Sequence, residues 1–190
     1  MDYFQTILPG VRIFASVAHQ EQRRKYTGEP YIGHPERVAG IVSAWLPGDA
    51  YAVILAYLHD TVEDTDVTLE RIAGTFGAFV AKGVDALTKE DTPGLNREQK
   101  LAAYRVKLAA ADQVVQIVKA ADIIANLSSV AVHDPKFGVT YCKEKLVEAD
   151  VLTKLPPIIA VELKVAIDRA LQDSEEGLVQ NALGKKEGKL

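Results

Sequence analysis

The chain runs Val53-Ile54-Leu55-Ala56-Tyr57-Leu58 straight into His59-Asp60-Thr61-Val62-Glu63-Asp64-Thr65. An apolar segment thus delivers four ionisable groups within six positions. If the apolar run is helical and the helix continues, His59 and Glu63 stand four residues apart, and Asp60 and Asp64 repeat that spacing. Residues at i and i+4 share a helix face. One imidazole and three carboxylates would then crowd one small region. Adjacent acids beside an imidazole repel one another unless a cation neutralises them. The pair His59-Asp60 offers one nitrogen and one oxygen, a donor set that suits Mn, Fe, Zn or Mg better than a thiolate-seeking metal.

The same periodicity extends along most of the chain and predicts an all-α domain. Val38, Ile41, Val42, Trp45 and Leu46 fall at helical spacing, opening at Pro35 and stopping before Pro47-Gly48. A second helix runs from about Asp49 to His59 or just past it. Thr68 has the chemistry of an N-cap for a short helix through Ile72, ended near Phe76-Gly77. Val80, Val84 and Leu87 continue the pattern until Asp91-Thr92-Pro93-Gly94 breaks it. Helices follow over 97–110 and 112–127, the latter with Val115, Val118 and Ile124 on a packing face. His133-Asp134-Pro135 marks a break, and helices near 137–151 and 157–172 complete the set. Residues 1–172 read as one domain, and the polar stretch 173–190 as a frayed tail.

At 190 residues one domain can bury a proper core. A formal net charge of -4 argues against generic nucleic-acid binding, though not against a local basic pocket for a phosphorylated small molecule. The single cysteine, Cys142, permits no internal disulfide, which fits a reducing cytoplasm. No secretory signal and no membrane-spanning stretch is expected. Self-association into a homo-oligomer stays open.

One helix cannot surround a metal, so ligands are sought elsewhere. His34 lies in Glu29-Pro30-Tyr31-Ile32-Gly33-His34-Pro35, where neighbouring Gly and Pro restrict the backbone. On its own it reads more readily as a helix-capping histidine. Asp122 is a lone acid in the largely apolar Val118-Lys119-Ala120-Ala121-Asp122-Ile123-Ile124, with Asn126 one turn on. A buried carboxylate is costly unless paired or metal-bound, while the alternative places both residues in solvent.

Together, His34, His59-Asp60 and Asp122 form the pattern of the HD phosphohydrolase superfamily, a helical bundle. Arg23-Arg24-Lys25, then Gly28-Glu29-Pro30-Tyr31-Ile32-Gly33-His34-Pro35, then Leu58 to Thr65, with Thr68-Leu69 and Phe76-Gly77 behind, closely resembles the hydrolase domain of RelA/SpoT alarmone enzymes. The likeness is greatest to the free-standing small alarmone hydrolases, whose metazoan branch is called Mesh1. Over roughly residues 10–150 this resemblance implies Mn²⁺-dependent hydrolysis of (p)ppGpp at its 3′-pyrophosphate, giving GDP or GTP and pyrophosphate. It implies that His34, His59, Asp60 and Asp122 hold the metal, and that Glu63 and Asp64 position and activate water. It further implies that Arg24 and Lys25 line the nucleotide pocket, that Asn126 meets the ribose, and that Tyr141 contacts substrate. Without that motif beside it, Arg23-Arg24-Lys25 reads as a solvated basic turn. Asp134-Pro135-Lys136-Phe137 with Tyr141 and Glu144-Lys145 resembles the bacterial stand-alone branch, so no synthetase domain is expected in the remaining length.

The chain departs from that family at Ile123, where a basic residue is usual, and at Ala125, where an aromatic or histidine is usual. These positions bear on base preference. Two other readings stand beside the first: an HD phosphohydrolase for another nucleotide, (p)ppApp, NADPH or a dNTP, and a nucleotide-sensing module without catalysis.

Overall fold

The computed structural model describes residues 3–187, and among them every regular element is a helix. In order these are α1 (Tyr3–Ala18), α2 (Gly33–Trp45), α3 (Ala50–Leu58), α4 (Thr61–Asp64) and α5 (Leu69–Phe76). Then come α6 (Ala78–Leu87), α7 (Arg97–Ala110), α8 (Gln113–His133), α9 (Pro135–Val151) and α10 (Pro157–Glu187). The all-α expectation holds.

Side-chain caps set five of the helix starts. Asp49, Thr68, Asn96, Asp112 and Asp134 each accept a backbone N–H from the first turn of the helix that follows. Asn96 completes a capping box with Gln99. Gly77, at φ 93°, supplies the left-handed turn that separates α5 from α6.

Helix α8 lies between two apolar cores. Val115, Val118, Ala121 and Ala125 pack with Val38, Ile54, Leu58, Ile72 and Val84. Ile117, Ala120, Ile123 and Leu127 pack with Leu108, Cys142, Leu163 and Ile167. Burying such aliphatic side chains contributes about 1.5–3 kcal/mol each, and doing so on two faces of α8 leaves one stripe, Lys119, Asp122 and Asn126, for polar work. Ile124 packs with the second core and not with Val115 and Val118.

Several expectations need correction. The helix does not continue through His59. Its last carbonyls are taken by side chains, Ala56 O by His59 Nδ1 at 2.8 Å and Leu58 O by the Thr61 hydroxyl at 2.7 Å. A new turn then starts with Asp64 N–H donating to Asp60 O at 2.9 Å. His59-Asp60 is therefore a hinge between helices, and Glu63 does not share a continuous face with His59.

Helix α2 opens at Gly33, ahead of Pro35, and α8 runs on past Leu127 to His133. Helix α1 adds to the expected helices: Pro9 interrupts a run in which Phe4, Ile7, Leu8, Val11, Phe14 and Ala15 nonetheless keep helical spacing. At 21 residues α8 is long and apolar enough to cross a membrane, contrary to expectation, but most of it is buried inside the protein.

The boundary at residue 173 is also not where α10 ends, since the helix runs to Glu187. Ser174 is fully buried and its hydroxyl donates to Ala170 O at 2.8 Å. Gly138 and Gly177 let α9 and α10 approach so closely that the second half of α10 docks on the first turns of α9. Asp173, Glu175, Glu176, Gln180 and Asn181 form the solvent side of a docked helix. The part of the expected frayed tail at 188–190 lies outside the described residues.

A Cβ at Gly138 would overlap the Ser174 hydroxyl and stand 3.1 Å from Ser174 Cβ, whereas one at Gly40 meets nothing within 4 Å. Gly138→Ala should therefore destabilise by about 1–3 kcal/mol. Gly40→Ala, on an exposed helix face, should stabilise by about 0.5–1 kcal/mol. Thermal unfolding of the two variants beside the parent checks both the seam and its contrast.

Candidate metal centre and its flanking cavities

Three separate segments bring four side chains to one point: His34 from the first turn of α2, His59-Asp60 from the hinge, and Asp122 from α8. His34 Nε2 lies 3.3 Å from His59 Nε2, 3.5 Å from Asp60 Oδ2 and 3.0 Å from Asp122 Oδ1. His59 Nε2 lies 3.0 Å from Asp60 Oδ2 and 3.6 Å from Asp122 Oδ1. Ligands about 2.1 Å from one ion stand about 3.0 Å apart at right angles and about 3.4 Å apart at tetrahedral angles. The observed separations straddle those two values, so the donor atoms of His34, His59 and Asp60 fit a shared divalent cation, with Asp122 Oδ1 beside both imidazoles.

Outer contacts support the same arrangement. His59 Nδ1 faces the Ala56 carbonyl, which makes Nδ1 the protonated nitrogen in the neutral ring and turns the Nε2 lone pair inward. The Tyr31 hydroxyl donates to Asp60 Oδ2 at 2.6 Å, and Asn126 Nδ2 donates to Asp122 Oδ1 at 2.7 Å. Both histidines and Asp122 are buried, and Asp60 is nearly so.

The electrostatics follow from this crowding. Burial would raise the Asp122 carboxyl, but Lys119 and the two imidazoles outweigh it and hold it well below the usual carboxylate range. Asp60 is likewise depressed, burial being outweighed by His59. Burial would lower His59, yet Asp60 and Asp122 hold it well above its ordinary value. Burial and then Asp60 push the Tyr31 phenol far up, keeping it a hydrogen-bond donor.

Glu63 and Asp64 border the same small cavity, of about 210 Å³, as Asp60, Asp122, Asn126 and Tyr141. The Glu63 carboxylate is engaged by Lys89, accepting its backbone N–H at 2.9 Å and its Nζ at 2.6 Å. Asp64 accepts from Gln22 Nε2 at 3.0 Å. Arg24 donates to Asn126 Oδ1 at 3.0 Å and borders a second cavity of about 560 Å³ with Arg37, Ala125 and His133.

Lys25 is not gathered into either cavity. Its Nζ sits 4.8 Å from the Tyr26 ring centre and 5.7 Å from that of Phe137. Ile123 faces the second core, so its departure from the expected basic residue is a matter of packing. Ala125 does border the larger cavity.

Residues with no expected role at the site complete the surroundings: Tyr31, Lys89, Lys119, Lys145 and Glu148 all line the smaller cavity. The i, i+3 spacing of Lys119 and Asp122, and the i, i+4, i+7 spacing of Tyr141, Lys145 and Glu148, carry a local signal. Lys89 carries none, because its meeting with Glu63 is made by tertiary structure.

This architecture and donor set define a class. The family model described as HD domain matches residues 12–147, and the chain belongs to that family. A guanosine-3′,5′-bis(diphosphate) 3′-pyrophosphohydrolase of Aquifex aeolicus is 43% identical over 134 residues, covering 70% of this chain and 19% of that protein. The protein of Danio rerio named as the MESH1 enzyme of that activity is 38% identical over 117 residues, 60% of this chain and 63% of its own. The chain thus spans less than two thirds of these curated relatives. A solved structure titled as a metazoan ortholog of SpoT that hydrolyzes ppGpp superposes with a TM-score of 0.74 at 24% identity, covering 87% of this chain and 93% of that one. That likeness speaks for the fold.

Replacing Asp60 or His59 by Ala should remove divalent-metal binding, read by calorimetry, while far-UV circular dichroism stays unchanged. Stripped of metal, the protein should lose stability at both ends of the pH range. On the alkaline side the contribution of His59 is complete below its ordinary 6.5 and is lost as pH rises through its higher folded value. On the acid side that of Asp122 is complete above its ordinary 3.8 and is lost as pH falls through its lower folded value. Melting temperature against pH, with and without Mn²⁺, reads both limbs.

Proposed function

We propose that this protein is an enzyme that hydrolyses (p)ppGpp at the 3′-pyrophosphate, releasing pyrophosphate and GDP or GTP, with Mn²⁺ as its cation. The observation that carries the reading is the convergence of four ligand atoms on one point at the edge of a cavity that Glu63 and Asp64 also border. The names borne by the relatives point the same way.

His34, His59, Asp60 and Asp122 would hold the metal. A divalent ion there polarises phosphoryl oxygen and makes nearby water a better proton donor. Glu63 accepts that proton at the carboxylate oxygen now facing Lys89 Nζ, so the Lys89 contact has to loosen or turn as substrate enters. Asp64, steadied by Gln22, orients the water. Arg24 offsets phosphate charge and keeps Asn126 directed at a ribose hydroxyl. Lys25 adds positive charge at the rim, and Tyr141 forms part of the wall. The buried Cys142, its thiol pushed up to about 11 by burial, plays no part and fits a reducing compartment.

The test is pyrophosphate release from ppGpp and ppApp side by side, with Mn²⁺ and then with EDTA. Chelator-sensitive release, faster from ppGpp, is the expected result. No release from either by a Mn²⁺-loaded protein would overturn the alarmone assignment, and a faster rate on ppApp would overturn the guanine preference. Glu63→Gln should keep the metal and lose about 10²–10⁴-fold in kcat, the range typical of a removed general base. Loss of bound Mn²⁺ in that variant would mean instead that Glu63 is a ligand.

A further inference from the structure

Directly behind Asp122 lies a second set of buried charges. Lys119, one helical turn earlier on α8, places Nζ 2.8 Å from Asp122 Oδ2. The same ammonium is 3.6 Å from Glu148 Oε1 and 5.2 Å from the centre of the Tyr104 ring. The ring is itself anchored, since the Tyr104 hydroxyl donates to Leu87 O at 2.7 Å. Glu148, on α9, is fully buried and takes a 2.8 Å contact on Oε2 from Lys145 Nζ. Its Oε1 has no hydrogen-bond partner, so that oxygen answers only Lys119.

The result is a chain of alternating sign, Asp122, Lys119, Glu148, Lys145, joining α8 to α9 along the wall of the smaller cavity and mostly shielded from solvent. Buried charge pairs are poor stabilisers, because apolar side chains of equal volume do as well or better. A network this complete therefore calls for an account other than stability. The account lies in the two oxygens of Asp122. Lys119 occupies Oδ2, which leaves Oδ1 turned to the imidazoles at 3.0 and 3.6 Å. A free lysine on a four-carbon stem would wander, and Glu148 and Tyr104 hold this one in place.

We propose that Lys119 is a positioning residue for the metal site, fixing Asp122 so that Oδ1 alone is offered to the cation, with Glu148 and Lys145 steadying Lys119 from α9. Groups that hydrogen-bond a metal ligand from behind typically govern about 10–100-fold in metal affinity. The inference deepens the proposed function at its metal site, but it rests on the cluster being a cation site and not on which nucleotide is cleaved.

The experiment is Mn²⁺ titration of the full chain followed by electron paramagnetic resonance, with melting temperature recorded for each metal-free variant. Lys119→Met should bind Mn²⁺ about 10–100-fold more weakly, and Lys119→Arg, which restores a donor and a charge, should recover much of that loss. Glu148→Gln should weaken binding in the same direction by less. A folded Lys119→Met protein with parental Mn²⁺ affinity overturns the proposal. Should that variant not fold, the double change Lys119→Met with Glu148→Gln removes one charge of each sign and puts the same question, with the same two outcomes. A parent that shows this ranking yet cleaves no alarmone would retire the substrate and leave the positioning role standing. Alarmone cleavage with unaltered Mn²⁺ affinity in Lys119→Met would do the reverse.

Discussion

A carboxylate removed from water has to be answered by positive charge, and the structure turns on how Asp122 is answered. Its helix cannot rotate to release it, because α8 is gripped by apolar cores on two faces. The remaining stripe must therefore find its partners inside the protein. Two imidazoles arrive from α2 and from the hinge after α3, and one ammonium from the preceding turn of α8 itself. The hinge is part of the same solution. Had the helix continued through His59, the Ala56 carbonyl would be spent on the backbone, and the ring would lose the contact that aims its lone pair inward.

The helices were legible from sequence wherever one face is apolar and the other wet. Val38 to Leu46 and 97–110 are of that kind. Legibility failed where local chemistry competes with periodicity. Pro9 hid α1, and side-chain capture of carbonyls by His59 and Thr61 ended a helix that spacing alone would extend. It failed again in the second half of α10, where small residues stand in for large apolar ones at a close helix contact and look polar on paper.

At the site, residue types and spacing singled out His59-Asp60, whereas His34 alone reads as a helix cap and Asp122 equally as a surface acid, and the set of four came together through the resemblance to HD phosphohydrolases. Lys89 and Glu148 could not be found in the same way. A lysine in a loop and a glutamate in a helix are ordinary residues until folding brings each against a partner 26 positions away for Lys89 and Glu63, or across to α8 for Glu148. The two cavities that flank the Arg24–Asn126 contact also emerge only in three dimensions. The larger, at about 560 Å³, lies within the range of about 300–1,000 Å³ usual for small-molecule sites. The smaller, at about 210 Å³, falls below it and suits a more compact charged group.

Because the donor atoms of the candidate metal site belong to segments as far apart as 88 residues, they are neighbours only after the chain has folded. An ion bound there recognises the native state and ignores the unfolded one, and so shifts the balance between them by about 2.7 kcal/mol when free metal stands at a hundred times its dissociation constant. Withdrawing the ion would leave the helices packed but raise the unfolded fraction about a hundredfold, and it is that fraction that proteases cut. The lifetime of such a protein in a cell would then follow the supply of its metal as closely as the rate of its synthesis.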